Sequence, residues 1–302
     1  MSQIQKVEFQ QVETKMISLL GKETVQKEIS FAMQAIHNNS QLQKCTKESL
    51  QKAVFNIATT GLSLNPVLKW ASLVPRYVAG EYVAVLDPSY QGLIKLLTDT
   101  GAVTSVQAYI VYENDTFEVR YGSTAEIIHK PTFKNRGEII AAYAIAQLSG
   151  SDFRQFEVMN TEEMNAIRER SESYKAVVSG KLKTCPWIEH ITEMYRKTVI
   201  KRLFKYLPKS KAFEPVARAI SLSDSDYSIT EKQADYLVTL IERATYDDDT
   251  KAILVNKIYQ GISSEEFYQM KKEAEMNAID PITAGMPYSQ KDIQDHLNKL
   301  PG

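Results

Sequence analysis

A run of basic side chains between residues 188 and 211 is the segment whose composition points most clearly to a ligand. It holds seven basic residues and two acidic ones, Glu189 and Glu193, which come first. A helix is expected from Pro186 to about Leu207, ended by Pro208. It would stack Lys197, Lys201 and Lys205 on one face, where like charges repel unless an anion lies between them. The basic residues are Arg196, Lys197, Lys201, Arg202, Lys205, Lys209 and Lys211.

Three interpretations of this basic face are open. Phosphates at backbone spacing would relieve the repulsion, which favours a nucleic acid. The second interpretation is a solvated face. Acidic residues at the start of a helix and basic residues at its end complement the dipole of any helix, so this order needs no ligand. Contact with a protein is the third. The opposite face is expected to be apolar, with Ile191, Tyr195, Val199, Leu203 and Tyr206.

A second basic set is interleaved with aromatic residues between positions 69 and 95. Unstacked bases offer faces on which aromatic rings stack, so cations beside aromatics suit a single strand. The alternative is that these aromatic residues are strand residues that pack on a sheet. The set comprises Lys69, Arg76 and Lys95, with Trp70, Tyr77, Tyr82 and Tyr90.

The loop HKPTFKNR carries a third cluster, His129, Lys130, Lys134 and Arg136. It either reaches a nucleic-acid backbone or is a solvated surface loop. His129 with the upstream acids Glu113, Asp115 and Glu118 is conceivable as the metal site of a nuclease. The acids lie in a predicted turn without metal-ligand spacing, so a structural role is favoured.

Other catalytic chemistry finds little support. The sequence has no GxxxxGK[S/T] phosphate loop, so no motif for nucleotide hydrolysis is visible. The two cysteines, Cys45 and Cys185, lie far apart, which argues against a disulfide framework or a zinc site. We therefore expect no enzyme activity and no cofactor, apart from a modulation of DNA binding by magnesium.

The periodicity of apolar residues predicts an α+β fold. Helices are expected from about residue 12 to Gly61, with Thr46 or Ser49 as a cap. Three hairpins follow, with turns at 79–81, 113–115 and 149–151 and a short helix after the first. They imply an antiparallel sheet packed with helices. A helix from Thr161 to about Ser173 and the basic helix come next.

Charge divides the chain into two parts. Residues 1–220 carry 28 basic and 22 acidic side chains, and residues 221–302 carry 8 and 15, within a formal net charge of −1. We expect a core at 1–220 with a helical N-terminal part at 1–60, a polar linker at 221–228, and a small all-α module at 229–302 built from three amphipathic helices. A basic body suits a polyanion, and an acidic appendage suits a protein partner. No segment has the pattern of a membrane span or signal peptide, so a cytoplasmic protein is expected.

Six collinear blocks together resemble the RecT family of phage and prophage recombinases. In chain order they are GLSLNPVLKWASLVPR (61–76), YQGLIKLL (90–97), VYENDTFEVRYG (111–122), IIHKP (127–131), FEVMNTEEMNAIRERS (156–171) and PWIEHITEMYRKTVIKRLFKYLPKS (186–210). One block would be weak, but six in order are specific. Members often have a Lys and an Arg where this chain has Gln91 and Asp99, which leaves Lys95 as the cation of that helix.

The resemblance implies an ATP-independent protein that anneals single-stranded DNA in the bacterial host cell. It also implies rings or helical filaments of one protein, and a 5′ to 3′ exonuclease or host single-strand binding protein docked on the C-terminal module. Single strands and annealed duplex would lie in a basic groove shared between protomers. The groove candidates carried over from the family are Arg196, Lys197, Lys201, Arg202, Lys205 and Arg76. The rivals are a replication adaptor that binds DNA without pairing strands and the metal-dependent nuclease.

Overall fold

The computed structural model describes residues 9–78, 81–123, 125–224, 231–260 and 264–277. The chain divides into two compact units. Unit 1 comprises residues 1–77 and 81–225, and unit 2 comprises residues 78–80 and 226–302. Helices and antiparallel sheets are packed together in unit 1, and the described residues from 231 to 277 are mainly helical, so the predicted α+β class is confirmed.

The helices of unit 1 follow the predicted order, with two additions that the sequence did not predict, Glu172–Val178 and Glu214–Asp224. They are α1 (Gln10–Leu20), α2 (Lys22–His37), α3 (Lys47–Thr60), α4 (Tyr90–Asp99), α5 (Thr161–Arg170), α6 (Glu172–Val178), α7 (Pro186–Glu189), α8 (Ile191–Phe204) and α9 (Glu214–Asp224). Short 3₁₀ turns lie at Leu42–Lys44 and Lys211–Phe213. Helix α3 begins and ends as expected, because the Thr46 hydroxyl accepts a hydrogen bond from the Ser49 amide and Gly61 has a positive φ of 71°.

Among the described residues, seven strands form three small sheets. The strands are β1 (Ala71–Val78), β2 (Glu81–Pro88), β3 (Val103–Tyr112), β4 (Thr116–Arg120), β5 (Glu126–Lys130), β6 (Ile139–Leu148) and β7 (Arg154–Asn160). Strands β1 and β2 pair as predicted, and β6 and β7 form the predicted antiparallel hairpin. The turn residues 79 and 80 lie outside the described residues.

The second predicted hairpin is wrong. Strand β3 pairs with β6, with Tyr109 opposite Tyr143, and β4 pairs instead with β5, a strand that the sequence analysis did not predict. The composition of β6 explains this arrangement, since IIAAYAIA is apolar at nearly every position and needs a central place with a neighbour on each side. Strand β3 fills one of those places in the order β3-β6-β7.

The predicted basic helix is two helices, not one. His190 leaves the helical conformation with φ −133°, which separates α7 from α8, and α8 ends at Phe204. The break lets Trp187 and Tyr195 be buried in the same core, with ring centroids 6.3 Å apart. Helix α8 then packs against β3, β6, β7 and α4, so most of its circumference is covered.

Two further boundaries differ from expectation. The helix predicted from Thr161 to about Ser173 begins at Thr161 but ends at Arg170. Asn160 caps it, because the Asn160 side chain accepts from the Glu163 amide and the Glu163 carboxylate accepts from the Asn160 amide. Residues 221–224, expected to open the linker, belong to the last turn of α9. Residues 225–228 lie outside the described residues.

Unit 2 contains the three predicted amphipathic helices. They are α10 (Glu231–Arg243), α11 (Asp248–Gln260) and α12 (Ser264–Met276). Their buried residues form a core of their own, with Leu237, Ile241, Ile258, Phe267 and Met270. Residues 278–302 of the predicted module lie outside the described residues. In the described part of the chain no helix is both long and apolar enough to cross a bilayer.

Candidate nucleic-acid interface

Several of the predicted groove cations lie near the carboxylate of Asp87, at the end of β2. The Lys197 ammonium lies 2.8 Å and 3.0 Å from its two carboxylate oxygens, and Lys197 is only 6% exposed. The Lys201 ammonium donates to the Ser223 hydroxyl at 2.8 Å, and that hydroxyl lies 3.3 Å from Asp87. Burial raises the pKa of Asp87, but the nearby charges of Lys197, Arg76 and Lys201 outweigh it and hold the pKa below its ordinary value.

Arg202 joins α8 to two other elements. Its Nε donates to Glu157 on β7 at 2.8 Å, and its NH1 donates to Glu163 on α5 at 2.7 Å. The two carboxylates therefore neutralise a side chain that was predicted to contact DNA. Together with the contacts of Lys197 and Lys201, this explains how a line of like charge is stable without any ligand.

The remaining cations of this segment lie nearer the surface. The Arg196 guanidinium pairs with Glu193 at 2.5 Å and lies 5.9 Å from the centre of the Tyr90 ring. Lys205 is exposed, and the Lys209 ammonium lies 4.9 Å from the centre of the Phe204 ring. Tyr206, expected on the apolar face, is 57% exposed, because α8 ends at Phe204 and Tyr206 lies beyond the helix.

The second predicted set lies around the start of α4. Lys69 has a positive φ of 53° and is exposed, and its carbonyl accepts from the Ser89 hydroxyl at 2.6 Å. The Lys95 ammonium donates to the Gly61 carbonyl at 3.0 Å, pairs with Asp99 at 2.5 Å and lies 4.8 Å from the centre of the Trp70 ring. Asp99, one of the departures from the family pattern, thus neutralises Lys95 within the fold.

The third predicted cluster is organised around Asp115, whose side chain is 0% exposed. Its carboxylate accepts from His129 Nε2 at 3.1 Å, from the Thr132 amide at 2.8 Å and from the Arg136 guanidinium, which also lies 4.0 Å from the centre of the Tyr112 ring. Burial raises the pKa of Asp115, but these donors outweigh it and hold the pKa well below its ordinary range.

The hydrogen bonds to Asp115 argue against the alternative in which Asp115 and His129 bind a metal ion. Both oxygens of Asp115 already accept hydrogen bonds, and one of the donors is a guanidinium cation. A carboxylate that accepts from so many donors has little capacity left for a cation. Nowhere within the described ranges do three His, Cys, Asp or Glu side chains converge as a metal site would require. The geometry therefore supports the structural role for Asp115 and His129.

His129 extends this network to the sheet. Its Nδ1 lies 3.2 Å from the Tyr143 hydroxyl, so a neutral His129 that donates from Nε2 to Asp115 accepts from Tyr143. The Tyr143 ring stacks on Tyr109 of the neighbouring strand at 5.3 Å between centroids, and burial raises the pKa of Tyr143 to about 12. The aromatic rings of β3 and β6 are thereby tied to the loop that follows β5.

Two adjoining open clefts lie on this side of unit 1. The larger, about 600 Å³, is lined by residues of β3, β6 and β7, and the smaller, about 460 Å³, shares Tyr109, His129 and Pro131 with it. The larger is also lined by Ser105, Gln107, Tyr143, Ile145, Gln147 and Arg154. The smaller extends to Ile110, Tyr112, Thr132, Phe133, Arg136 and Arg196. We call the two together the aromatic cleft.

The structure therefore brings together only part of the predicted set. Arg136 and Arg196, far apart in sequence, line one cleft, and the exposed Lys130 and Lys134 belong to the strand and loop beside it. Lys197 is held by a carboxylate in the interior, and the half-buried Arg202 is held by carboxylates nearer the surface. Lys69, Arg76, Tyr90 and Lys95 line neither of the two clefts.

Sequence reasoning missed the aromatic lining of this cleft. Tyr109 and Tyr143 precede the predicted turns at 113–115 and 149–151, which places both on strands, but which face of β3 stays open depends on its pairing with β6. Phe133 could have been singled out from the sequence, because it is an apolar residue in an otherwise polar loop that also carries Lys130, Lys134 and Arg136.

Comparison with known proteins agrees with these observations. A sequence model of the RecT family matches residues 26–233. Protein RecT of Escherichia coli (strain K12) is 31% identical over 229 residues, which cover 74% of this chain and 80% of that protein. The matched region contains α8, the Asp87 cluster and the aromatic cleft. The chain therefore belongs to the RecT family and is a recombination protein of the RecT type.

Proposed function

We propose that this protein binds single-stranded DNA and anneals complementary strands without ATP. Annealing changes no covalent bond. It requires two strands to be held extended, with their charge screened and their bases accessible. Membership of the RecT family supports this function, and the aromatic cleft supplies groups suited to it.

The observation that carries the proposal is the meeting of cations and aromatic rings on one surface. Arg136 and Arg196 lie in the same cleft as Tyr109 and Phe133. Guanidinium groups pair with phosphates, and aromatic rings stack on bases of any sequence. The cleft is open along the sheet, which suits a chain molecule that passes across it.

The predicted groove residues take two roles in this proposal. Lys130 and Lys134 contact phosphates at the cleft. Arg136 and Arg196 do so with the guanidinium N–H groups that their pairs with Asp115 and Glu193 leave unused. The exposed Lys69 and Lys205 extend the basic surface. Lys197 and Arg202 position α8 through their carboxylate partners. Arg76, Lys201, Lys95 and Tyr90 support the Asp87 cluster and α4, and they reach DNA only where a bound strand displaces their present contacts.

Oligomerisation and partner docking are further parts of the proposal. A ring or filament of this chain would align several clefts along one strand, and the resulting groove would hold single strands or annealed duplex. Unit 2 has its own apolar core and belongs to the acidic part of the chain, which suits a docking module for an exonuclease or a single-strand binding protein. No cofactor is required, and magnesium is expected only to modulate binding.

Annealing of two complementary labelled oligonucleotides, with and without ATP and magnesium, tests this function. We expect pairing well above the spontaneous rate in the absence of ATP. Binding without accelerated pairing would favour a replication adaptor, and cleavage that requires magnesium would favour a nuclease. Either result would overturn the proposal.

A further inference from the structure

Phe133 stands out from every aromatic residue of the core because its side chain lies in solvent. It is 94% exposed, at the tip of the loop that joins β5 to β6. Folding gains nothing from an apolar ring in this position. Single exposed apolar residues are common on protein surfaces, so exposure alone does not identify a site. The hydrogen bonds that hold the loop beside Phe133 and the cations around it are what indicate a site.

Hydrogen bonds hold the loop on both sides of Phe133. On one side, the Thr132 amide donates to Asp115 at 2.8 Å and the Thr132 hydroxyl donates to the Asn114 carbonyl at 2.5 Å. On the other side, the Asn114 side chain donates to the Asn135 carbonyl at 2.7 Å. Only Phe133 and Lys134 project between these anchors. The backbone that carries the ring is thus held in place before any ligand binds, which lowers the entropy cost of binding.

The base of the loop permits no simple rearrangement. Asn135 and Gly137 have positive φ angles of 50° and 78°. A Cβ on Gly137 would lie 2.8 Å and 2.9 Å from atoms of the Glu113 side chain. The Glu113 amide also donates to the Glu138 carbonyl at 2.9 Å. The turn after β3 and the loop after β5 therefore form one rigid block with Phe133 at its tip.

The charge around Phe133 selects an anionic partner. Residues 130–137 contain three cations and no acid, and one of the three, Arg136, pairs with Asp115 outside this segment. Lys130 and Lys134 are exposed, and Arg136 lines the aromatic cleft together with Phe133 itself and Arg196. A ring flanked by cations at this spacing matches a polymer in which flat bases alternate with phosphates. An apolar segment of a protein would gain nothing from these cations.

We propose that Phe133 is a base-stacking wedge that enters between neighbouring bases of a bound single strand. Its ring replaces one base–base stack, while Lys134 holds a phosphate on one side and the guanidinium N–H groups of Arg136 that do not bond to Asp115 face the phosphate on the other. The strand is thereby kept extended on the cleft with its Watson–Crick edges available to a second strand. The ring offers no hydrogen bond, so the contact is independent of base identity. This inference rests on the single-strand binding proposed above.

Binding of an oligothymidylate and of an abasic strand of the same length tests the wedge. Phe133→Ala is expected to weaken binding of the oligothymidylate about tenfold, since stacking on an aromatic ring contributes strongly for each base. Binding of the abasic strand, which has phosphates but no bases, should be unchanged. Phe133→Trp should retain or tighten binding of the oligothymidylate.

The matched control is Phe153→Ala. Phe153 is 55% exposed in the turn between β6 and β7 and does not line the cleft. It should affect neither strand. Unchanged binding of the oligothymidylate by Phe133→Ala would overturn the wedge, as would an equal loss on the abasic strand. A change in oligomer size without DNA would overturn it too, because the ring would then contact a second copy of the chain. If the wild-type protein does not bind oligothymidylate, the proposed function itself fails.

Discussion

The Lys197 ammonium lies 2.8 Å from a carboxylate oxygen of Asp87, although the two residues are 110 positions apart in the chain. This pair joins the end of β2 to the middle of α8 in the interior of unit 1. A lysine on the basic face of a predicted DNA-binding helix thus holds that helix in the fold. Removal of one member would leave the other charge partly buried and unpaired.

We predict that Lys197→Met lowers the free energy of unfolding by about 3 kcal/mol, as expected for loss of one partner of a buried ion pair. Lys205→Met, on the exposed end of the same segment, should change it by less than about 0.5 kcal/mol. Urea titration followed by circular dichroism measures both. Equal stability of the two variants would show that the Asp87 contact contributes little to folding.

The Asp115 network predicts a specific dependence of stability on pH. The pKa of Asp115 is lowered in the folded protein, so its contribution to stability is present above the unfolded pKa of about 3.9 and is lost as the pH falls. Asp115→Asn should lower the Tm by roughly 5 °C at pH 7. Its Tm should also fall less steeply than that of the wild type below about pH 4. Parallel Tm curves for the two proteins would contradict the assignment.

Phosphate contacts by the cleft predict the salt dependence of DNA binding. Each phosphate contacted on a single strand contributes roughly 0.7 to the slope of log affinity against log salt. The double variant Arg196→Ala with Lys134→Ala should reduce that slope by about 1.4 and weaken binding to all sequences alike. Fluorescence anisotropy at several salt concentrations measures it.

Lys251→Ala with Lys257→Ala, in α11 of unit 2, is the control pair for this experiment and should leave the slope unchanged. The interface would have to be placed elsewhere if the cleft variant kept the wild-type slope, or if the α11 variant reduced it. Lys201→Ala with Arg202→Ala is less informative, since loss of the bonds from Arg202 to Glu157 and Glu163 destabilises the fold as well.

At Gly92 we expect the usual stabilising effect of a glycine-to-alanine substitution in a helix to be reversed. An alanine in place of glycine usually stabilises a helix by about 1 kcal/mol. A Cβ at Gly92 would lie 2.1 Å from the Trp70 carbonyl oxygen, so the α4 helix could not keep its contact with the chain after Lys69. Gly92→Ala should lower the Tm, whereas Gln91→Ala, exposed on the same helix, should not. A higher Tm for Gly92→Ala would refute this packing.

Local patterns predicted most of the secondary structure. The cap at Thr46, the end at Gly61, the β6–β7 hairpin and the three helices of unit 2 depend on residues close in sequence, and the structure contains them. The pairing of β3 was missed because the partner of a strand is decided by the whole sheet. Nearby turn residues favoured β4, but β6 takes the centre of its sheet, where β3 and β7 pair with its backbone on both edges.

The candidate site was also predicted incompletely, because its contacts join residues that are distant in the sequence. Basic residues are visible in a sequence, but their neutralising partners are not, since Glu157 lies 45 positions before Arg202. The exposed or buried state of each lysine on α8 follows from what packs on that helix. Arg136 was selected from sequence alone, and its place beside Arg196 and Tyr109 required the tertiary structure.

Photocrosslinking of a bound oligonucleotide that carries 5-iodouracil, followed by mass spectrometry of the linked peptides, tests the central claim most directly. The claim is that a single strand lies on the aromatic cleft of unit 1. We predict crosslinks to Tyr109, Tyr112 or Phe133, lost when excess unlabelled single strand competes. Crosslinks confined to α10–α12 of unit 2, with none in residues 105–136, would contradict it.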